Sequence, residues 1–273
     1  MRSRTKIAAF PYGVWIILFT VIPFLLVIYY AFTAKATGNF SFENLTNASR
    51  YFPVLIRSIY LALIATVICL VVAYPFAYFM ARKNASTQRV FLMLVMLPMW
   101  MNFLLRTYAW MTLLDDNGII NNFLVSLGFG RLRLINTSGA VVLGMIYNYL
   151  PFMIMPLYSI MTKIDRSVIE AAQDLGCSGA TVLRKVIIPL SFPGIASGIT
   201  MTFVPAVSTF VISGLLGGSN CFLIGDLIQQ QFLGNEYNLN YGAATSLVLM
   251  LVVLISMGIF NQFDNDEMED TLI

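Results

Sequence analysis

Few residues in this chain are equipped for chemistry. Its 273 residues include no histidine and three well-separated cysteines, Cys69, Cys177 and Cys221. The commonest general base and metal ligand is therefore missing, and scattered cysteines imply neither a disulfide framework nor a metal motif. No catalytic residue and no metal site is expected. A Gly-x-x-x-x-Gly-Lys-Ser/Thr loop is also absent, so the chain should not hold nucleotide in the Walker manner. What stands out is a set of aromatics and amides in apolar surroundings: Trp100, Asn102, Tyr108, Trp110, Tyr147, Asn148 and Tyr149. An aromatic face attracts an ammonium group by roughly 0.5–2 kcal/mol, which guides a cation without trapping it. An amide inside an apolar helix must find a partner or water. Trp and Tyr also enrich at membrane interfaces whatever passes, so these residues are candidates for a path.

The elements that must position them are membrane spans. Hydrophobic residues make up 59% of the chain and charged ones 11%, and mean hydropathy is +0.80. A soluble domain carries about 25% charged residues. The pattern therefore predicts an all-α polytopic membrane protein, a single transmembrane domain over residues 1–273. Six spans are expected at about 8–32, 54–80, 90–114, 139–161, 192–216 and 241–260. Pro23 and Pro75 predict bends, and Pro98, Pro151, Pro156 and Pro205 further kinks. Arg106 is expected near the outer end of span three, snorkelling to the interface.

No Asp or Glu falls inside a span so drawn. Asp226 and the pair Asp115–Asp116 lie in outer segments, where they can attract a cation at a mouth. Ile119, Ile120, Phe123, Leu124 and Leu127 predict a short amphipathic helix ended by Gly128. Cys221 is expected to be reachable from outside. The tail from Asp264 to Asp270 has five acids and no base, and reads as solvated and mobile.

Basic residues orient the chain. Arg2, Arg4, Lys6, Arg82, Lys83, Arg89, Lys163, Arg166, Arg184 and Lys185 fall on one side. Lys35, Arg50, Arg57, Arg106, Arg131 and Arg133 fall on the other. The excess in short loops places both termini and the 163–190 loop in the cytoplasm of a bacterial plasma membrane.

That loop is polar yet built to fold. Ser167 and Glu170 read as a capping box. Ile164, Val168, Ala171, Ala172 and Leu175 share one small, apolar helical face, and Gly176 sits where a left-handed C-cap belongs. A second short helix is expected from about Thr181 through Arg184 and Lys185 until Pro189 bends the chain. Two short helices joined at a glycine make a knob suited to docking into another protein.

Glu170-Ala171-Ala172, three residues, Gly176, nine residues, then Val186, Ile188 and Pro189 resemble the EAA loop of ABC importer permeases. Val and Ile replace the family's Ile and Leu, both mild changes. The whole chain is similar to the first permease subunit of spermidine/putrescine importers. Leu97 to Asn102 with Arg106-Thr107-Tyr108, Tyr149 to Tyr158, and Phe222 to Asp226 with Tyr241 to Ser246 carry that likeness. The resemblance implies a type I, MetI-like transmembrane domain. Glu170, Ala171, Ala172, Asp174, Gly176 and Pro189 would couple it to an ATPase subunit. It further implies a heterodimer with a related permease, two ATPase copies that bind ATP and Mg2+, and an extracytoplasmic polyamine-binding protein. No cofactor of the chain's own and no enzymatic activity are expected. Importers for iron, thiamine or other organic cations share this plan. A stand-alone secondary transporter would normally show intramembrane ionisable residues or an internal repeat, and neither is visible.

Overall fold

The computed structural model describes residues 11–34, 38–234 and 237–270. The described residues are helical, with an isolated antiparallel bridge between Thr33 and Phe40. In chain order the principal helices are α1 (Pro11–Ala31), α2 (Glu43–Ala48), α3 (Phe52–Ala81), α4 (Ala85–Trp100), α5 (Phe103–Leu114) and α6 (Ile119–Ser126). There follow α7 (Ser138–Met161), α8 (Arg166–Asp174), α9 (Gly179–Leu190), α10 (Phe192–Val207), α11 (Ile224–Leu233) and α12 (Leu239–Asp270). Among the described residues α1, α3, α7 and the first part of α12 are long and apolar enough to cross a membrane unbroken. Two bent pairs raise the number of candidate spans to six.

The residues gather into two compact units. One holds residues up to Leu55 with Leu227–Val252, the other Ile56–Asp226 and the chain from Val253. In the first unit α1 carries a π-helical stretch, Ile17–Val21, just ahead of Pro23. Proline has no N–H for the carbonyl one turn back, and the wider turn absorbs the misfit. The carbonyls left over at the end of α1 are collected by two buried amides. Asn44 Nδ2 donates to Ala31 O (3.3 Å) and Thr33 O (2.9 Å), and Asn240 Nδ2 to Tyr30 O (3.1 Å) and Thr33 O (2.6 Å). Ala31, Ala243 and Ala244 form the small core beneath them.

The second unit is organised by small residues that let helices approach closely. Cys69, Ala73 and Ala77 repeat every four residues along α3 and pack against Met153, Leu157 and Met161 of α7. On the other side of α7, Gly194 and Gly198 face Ile160 and Met153. In lipid, where helices gain little from hydrophobic association, such close packing supplies much of the cohesion.

Two expected spans are broken. Span three does not run from 90 to 114: α4 ends at Trp100 and α5 starts at Phe103, after a bend of 88°. Asn102 causes the restart, because its Oδ1 accepts the N–H groups of Leu104 (2.8 Å) and Leu105 (3.4 Å). A side chain that caps this way defines a new N-terminus. Span five ends at Val207 rather than 216, with a π-helical turn at Ser213–Gly217 after the gap. The expected surface helix forms as α6, and Gly128 follows it at φ +87°. The backbone of α12 stays helical through the acidic tail to Asp270.

Candidate functional site

The 163–190 segment folds as two short helices, α8 and α9, around a small core of their own: Ile169, Val182 and Ile187 are buried together, with Tyr78 of α3 packed on them. The capping box expected at Ser167 and Glu170 is not the one used. Helix α8 begins earlier, and Asp165 Oδ1 accepts the Ser167 N–H at 3.0 Å. A carboxylate favours a helix N-terminus electrostatically, which a serine hydroxyl cannot match. Hydrogen bonds from Ser167 hold the exposed Asp165 carboxyl below its ordinary pKa.

The other end closes as expected. Gly176 lies at φ +81°, its N–H reaching Gln173 O (2.8 Å), and Cys177 N–H reaches Ala172 O (3.2 Å). These two bonds are the Schellman pattern, so the helix ends at a fixed angle. Ser178 then caps α9 through Thr181 N–H at 3.3 Å. Pro189 lies in the last turn of α9, and the chain bends by 66° between α9 and α10.

Which face is buried decides what this knob can do. Ile169 points inward. Val168, Ala171 and Leu175 are exposed, Leu175 at 86%. Glu170 and Asp174 are exposed as well. The apolar face foreseen from spacing is therefore mostly the outward one, and the inward anchor is a residue that spacing missed. Alternation of a single apolar residue outside the main stripe is a weak signal in so short a helix.

The knob is tied to the spans by polar side chains. Arg166 Nη2 donates to Arg82 O at 3.3 Å, and Tyr74 OH meets Ser191 Oγ at 2.9 Å. Gln88 Nε2 holds Ala81 O (3.1 Å) and Lys83 O (2.8 Å), while its Oε1 accepts from Tyr158 OH (2.9 Å).

The path candidates do not form one cluster. Trp110 and Tyr147 meet edge to face, their centroids 5.5 Å apart. Beside them Asn148 is buried; its Nδ2 donates to Gly144 O (2.9 Å) and its Oδ1 has no partner. Tyr149 turns toward α10, donating to Pro205 O at 3.3 Å. Trp100, Asn102 and Tyr108 are exposed, Trp100 at 77%. Asp226 is not at a mouth. It is buried in the first turn of α11, where its Oδ2 accepts the Leu223 N–H at 2.9 Å. Burial pushes its pKa up, against the Leu223 N–H and the Ser213 hydroxyl.

Arg106 corrects a second expectation. It does not snorkel: it is 7% exposed, and its Nε and Nη1 are buried without hydrogen-bond partners. Arg106 sits four residues before Trp110, hence one turn away on the same helix side. A cation drawn to Trp110 would meet that fixed charge. Cys221, expected to be reachable from outside, is likewise fully buried, its side chain packed on Gly217. Among the described residues no group of acids, cysteines or histidines is placed to hold a metal.

Fold and site together define a helical membrane protein whose spans are joined by an exposed loop of two short helices. The chain belongs to the family described as binding-protein-dependent transport system inner membrane component, matched over residues 73–265. It is 40% identical over 248 residues to the spermidine/putrescine transport system permease protein PotB of Escherichia coli K12, covering 88% of this chain and 90% of that protein. The inner membrane ABC transporter permease protein YdcU of the same organism is 31% identical over 82% of the chain and 76% of its own length. Among solved structures, a bacterial alginate ABC transporter bound to its periplasmic protein superposes with a TM-score of 0.78 at 16% identity. That match covers 97% of this chain and 94% of the other. The inward-facing MetNI methionine ABC transporter gives a TM-score of 0.61 at 16% identity, over 79% of this chain and 94% of that one. The fold is thus that of the MetI-like permeases, and the chain is an ABC importer permease.

Proposed function

We propose that this permease serves a polyamine importer and takes its power stroke through α8 and α9. The observation that carries the coupling role is the exposed apolar face of α8. Val168, Ala171 and Leu175 stand outward on a helix fixed by Asp165 at one end and Gly176 at the other. Exposed apolar surface held this rigidly belongs against a partner. That partner is an ATPase subunit, present twice, which binds ATP and Mg2+. A related permease completes the transmembrane pathway, and an extracytoplasmic binding protein delivers spermidine or putrescine. Termini and knob face the cytoplasm, following the basic residues of the short loops.

The cargo reading is supported by the 40% identical spermidine/putrescine permease. It does not need a carboxylate trap in the spans, since the delivering protein sets specificity. The complete complex in proteoliposomes tests it. ATP hydrolysis should rise when spermidine-loaded binding protein is added outside, and labelled spermidine should accumulate. Equal stimulation by the same protein loaded with an anion would sink the polyamine assignment.

A further inference from the structure

A cavity of about 90 Å3 lies where the ends of α3 and α7 meet the knob. Its walls include Tyr78, Arg82, Thr162, Arg166, Ile169 and Ile187. Two of these are guanidinium groups. Arg166 reaches the main-chain carbonyl of Arg82 at 3.3 Å, which draws the start of α8 against the end of α3. The Arg82 guanidinium lies over the Tyr78 ring, 5.0 Å from its centroid. Its Nη2 is buried and has no hydrogen-bond partner.

No acid lines the cavity. The acid next in sequence, Asp165, is committed to the Ser167 N–H. A buried, charged donor without an acceptor is unfavourable unless something supplies one. Aromatic contact with Tyr78 eases the charge but offers no lone pair in the guanidinium plane.

We propose that this cavity is an oxyanion site that takes a phosphate group, from an anionic phospholipid headgroup or from free phosphate. Guanidinium forks match tetrahedral oxyanions and bind them through paired, charge-assisted bonds. The cavity has room for one such group or a few waters. It lies at the ends of two spans, the level at which headgroups sit and where basic residues meet anionic lipid. Ala81, Met161 and Ile164 complete the lining, which suits a phosphate carried on an ester rather than a polar ligand on all sides. Occupancy would bridge Arg82, directly after α3, and Arg166 on α8, so the knob and span two would move as one body. This site stands on its own geometry and does not depend on the cargo.

The test uses the full-length chain, delipidated in a neutral detergent. Native mass spectrometry counts phosphatidylglycerol adducts against phosphatidylcholine adducts. Thermal melting with sodium phosphate, against sodium acetate and chloride at equal ionic strength, reports the free anion. Wild-type protein should retain phosphatidylglycerol, and Arg82→Gln or Arg166→Gln should weaken it about tenfold, the scale of one charge-assisted bond. Arg133→Gln, in the segment before α7, should bind as wild type. Arg82→Lys should recover part of the loss. Retention of phosphatidylglycerol without a phosphate effect names the headgroup as source, and the reverse names free phosphate. Wild-type protein that answers neither probe overturns the site, as does a larger response to acetate than to phosphate. Arg166 is exposed, so Arg166→Gln remains informative if Arg82→Gln fails to fold. Wild-type affinity in both glutamine variants would refute the proposal outright.

Discussion

Gly176 shows how one backbone position fixes the angle of the docking loop. At φ +81° a side chain strains the backbone, although an added Cβ would meet nothing within 4 Å. The penalty is therefore conformational and not steric contact with neighbours. Gly176→Val should destabilise the loop by about 1–2 kcal/mol, while Gly176→Asn should cost less because asparagine visits this region. Both variants should reach the membrane normally. Copurification with the ATPase and spermidine uptake should fall in the order glycine, asparagine, valine. Wild-type uptake by Gly176→Val would remove the loop from the coupling mechanism. Asp226 gives a residue-scale prediction of a different kind. Its pKa is raised in the folded chain, so the neutral form is the one the fold prefers. The stability it contributes is present below the ordinary aspartate pKa and lost as pH rises through the raised value. Asp226→Asn keeps an oxygen for the Leu223 N–H and escapes this loss. Its melting temperature relative to wild type should therefore be higher at pH 7.5 than at pH 4.5. A constant difference across that range would show that the carboxyl is not desolvated.

At the scale of elements, the crossing of α7 and α10 depends on having no side chain at Gly198. A Cβ there would lie 2.7 Å from Met153 Sδ and 3.3 Å from Met153 O. The thioether can swing away, but the carbonyl belongs to a helix. Gly198→Leu should thus separate the pair and destabilise the protein by about 1–3 kcal/mol, the range for overpacking a tight interface. Gly198→Ala should cost less, and a melting curve in detergent distinguishes them. The helices themselves were readable in the sequence because long apolar runs and the punctuation of Gly128 and Gly176 are local signals. The breaks were not. Asn102 reads as a polar residue within a span, and only the fold reveals that its oxygen caps a new helix at a bend of 88°. The stop at Val207 is equally hidden, because Ser208 to Leu216 stays apolar enough to continue the pattern. Arg106 and Asp226 were misplaced for a related reason. Both are buried once the chain folds around them, and helical periodicity carries no record of that burial.

For the whole molecule the open issue is which side of the membrane holds the knob, and the three native cysteines answer it without mutation. Cys69 and Cys221 are fully buried, whereas Cys177, just after Gly176, is half-buried. A thiol reagent must reach the sulfur, and burial denies that access. Only Cys177 should therefore label with a membrane-impermeant maleimide, so one adduct per chain is expected. Cys221→Ala should leave labelling unchanged, although Cys221 lies in a segment that composition alone would put in reach of the reagent. If the basic loops face the cytoplasm, Cys177 labels in inside-out vesicles and not in right-side-out ones. Assembly with the ATPase should then slow the reaction, because Cys177 directly follows the Gly176 turn that ends α8. Labelling of Cys177 in right-side-out vesicles would invert the orientation, and with it the direction in which this permease could receive a stroke driven by cytoplasmic ATP.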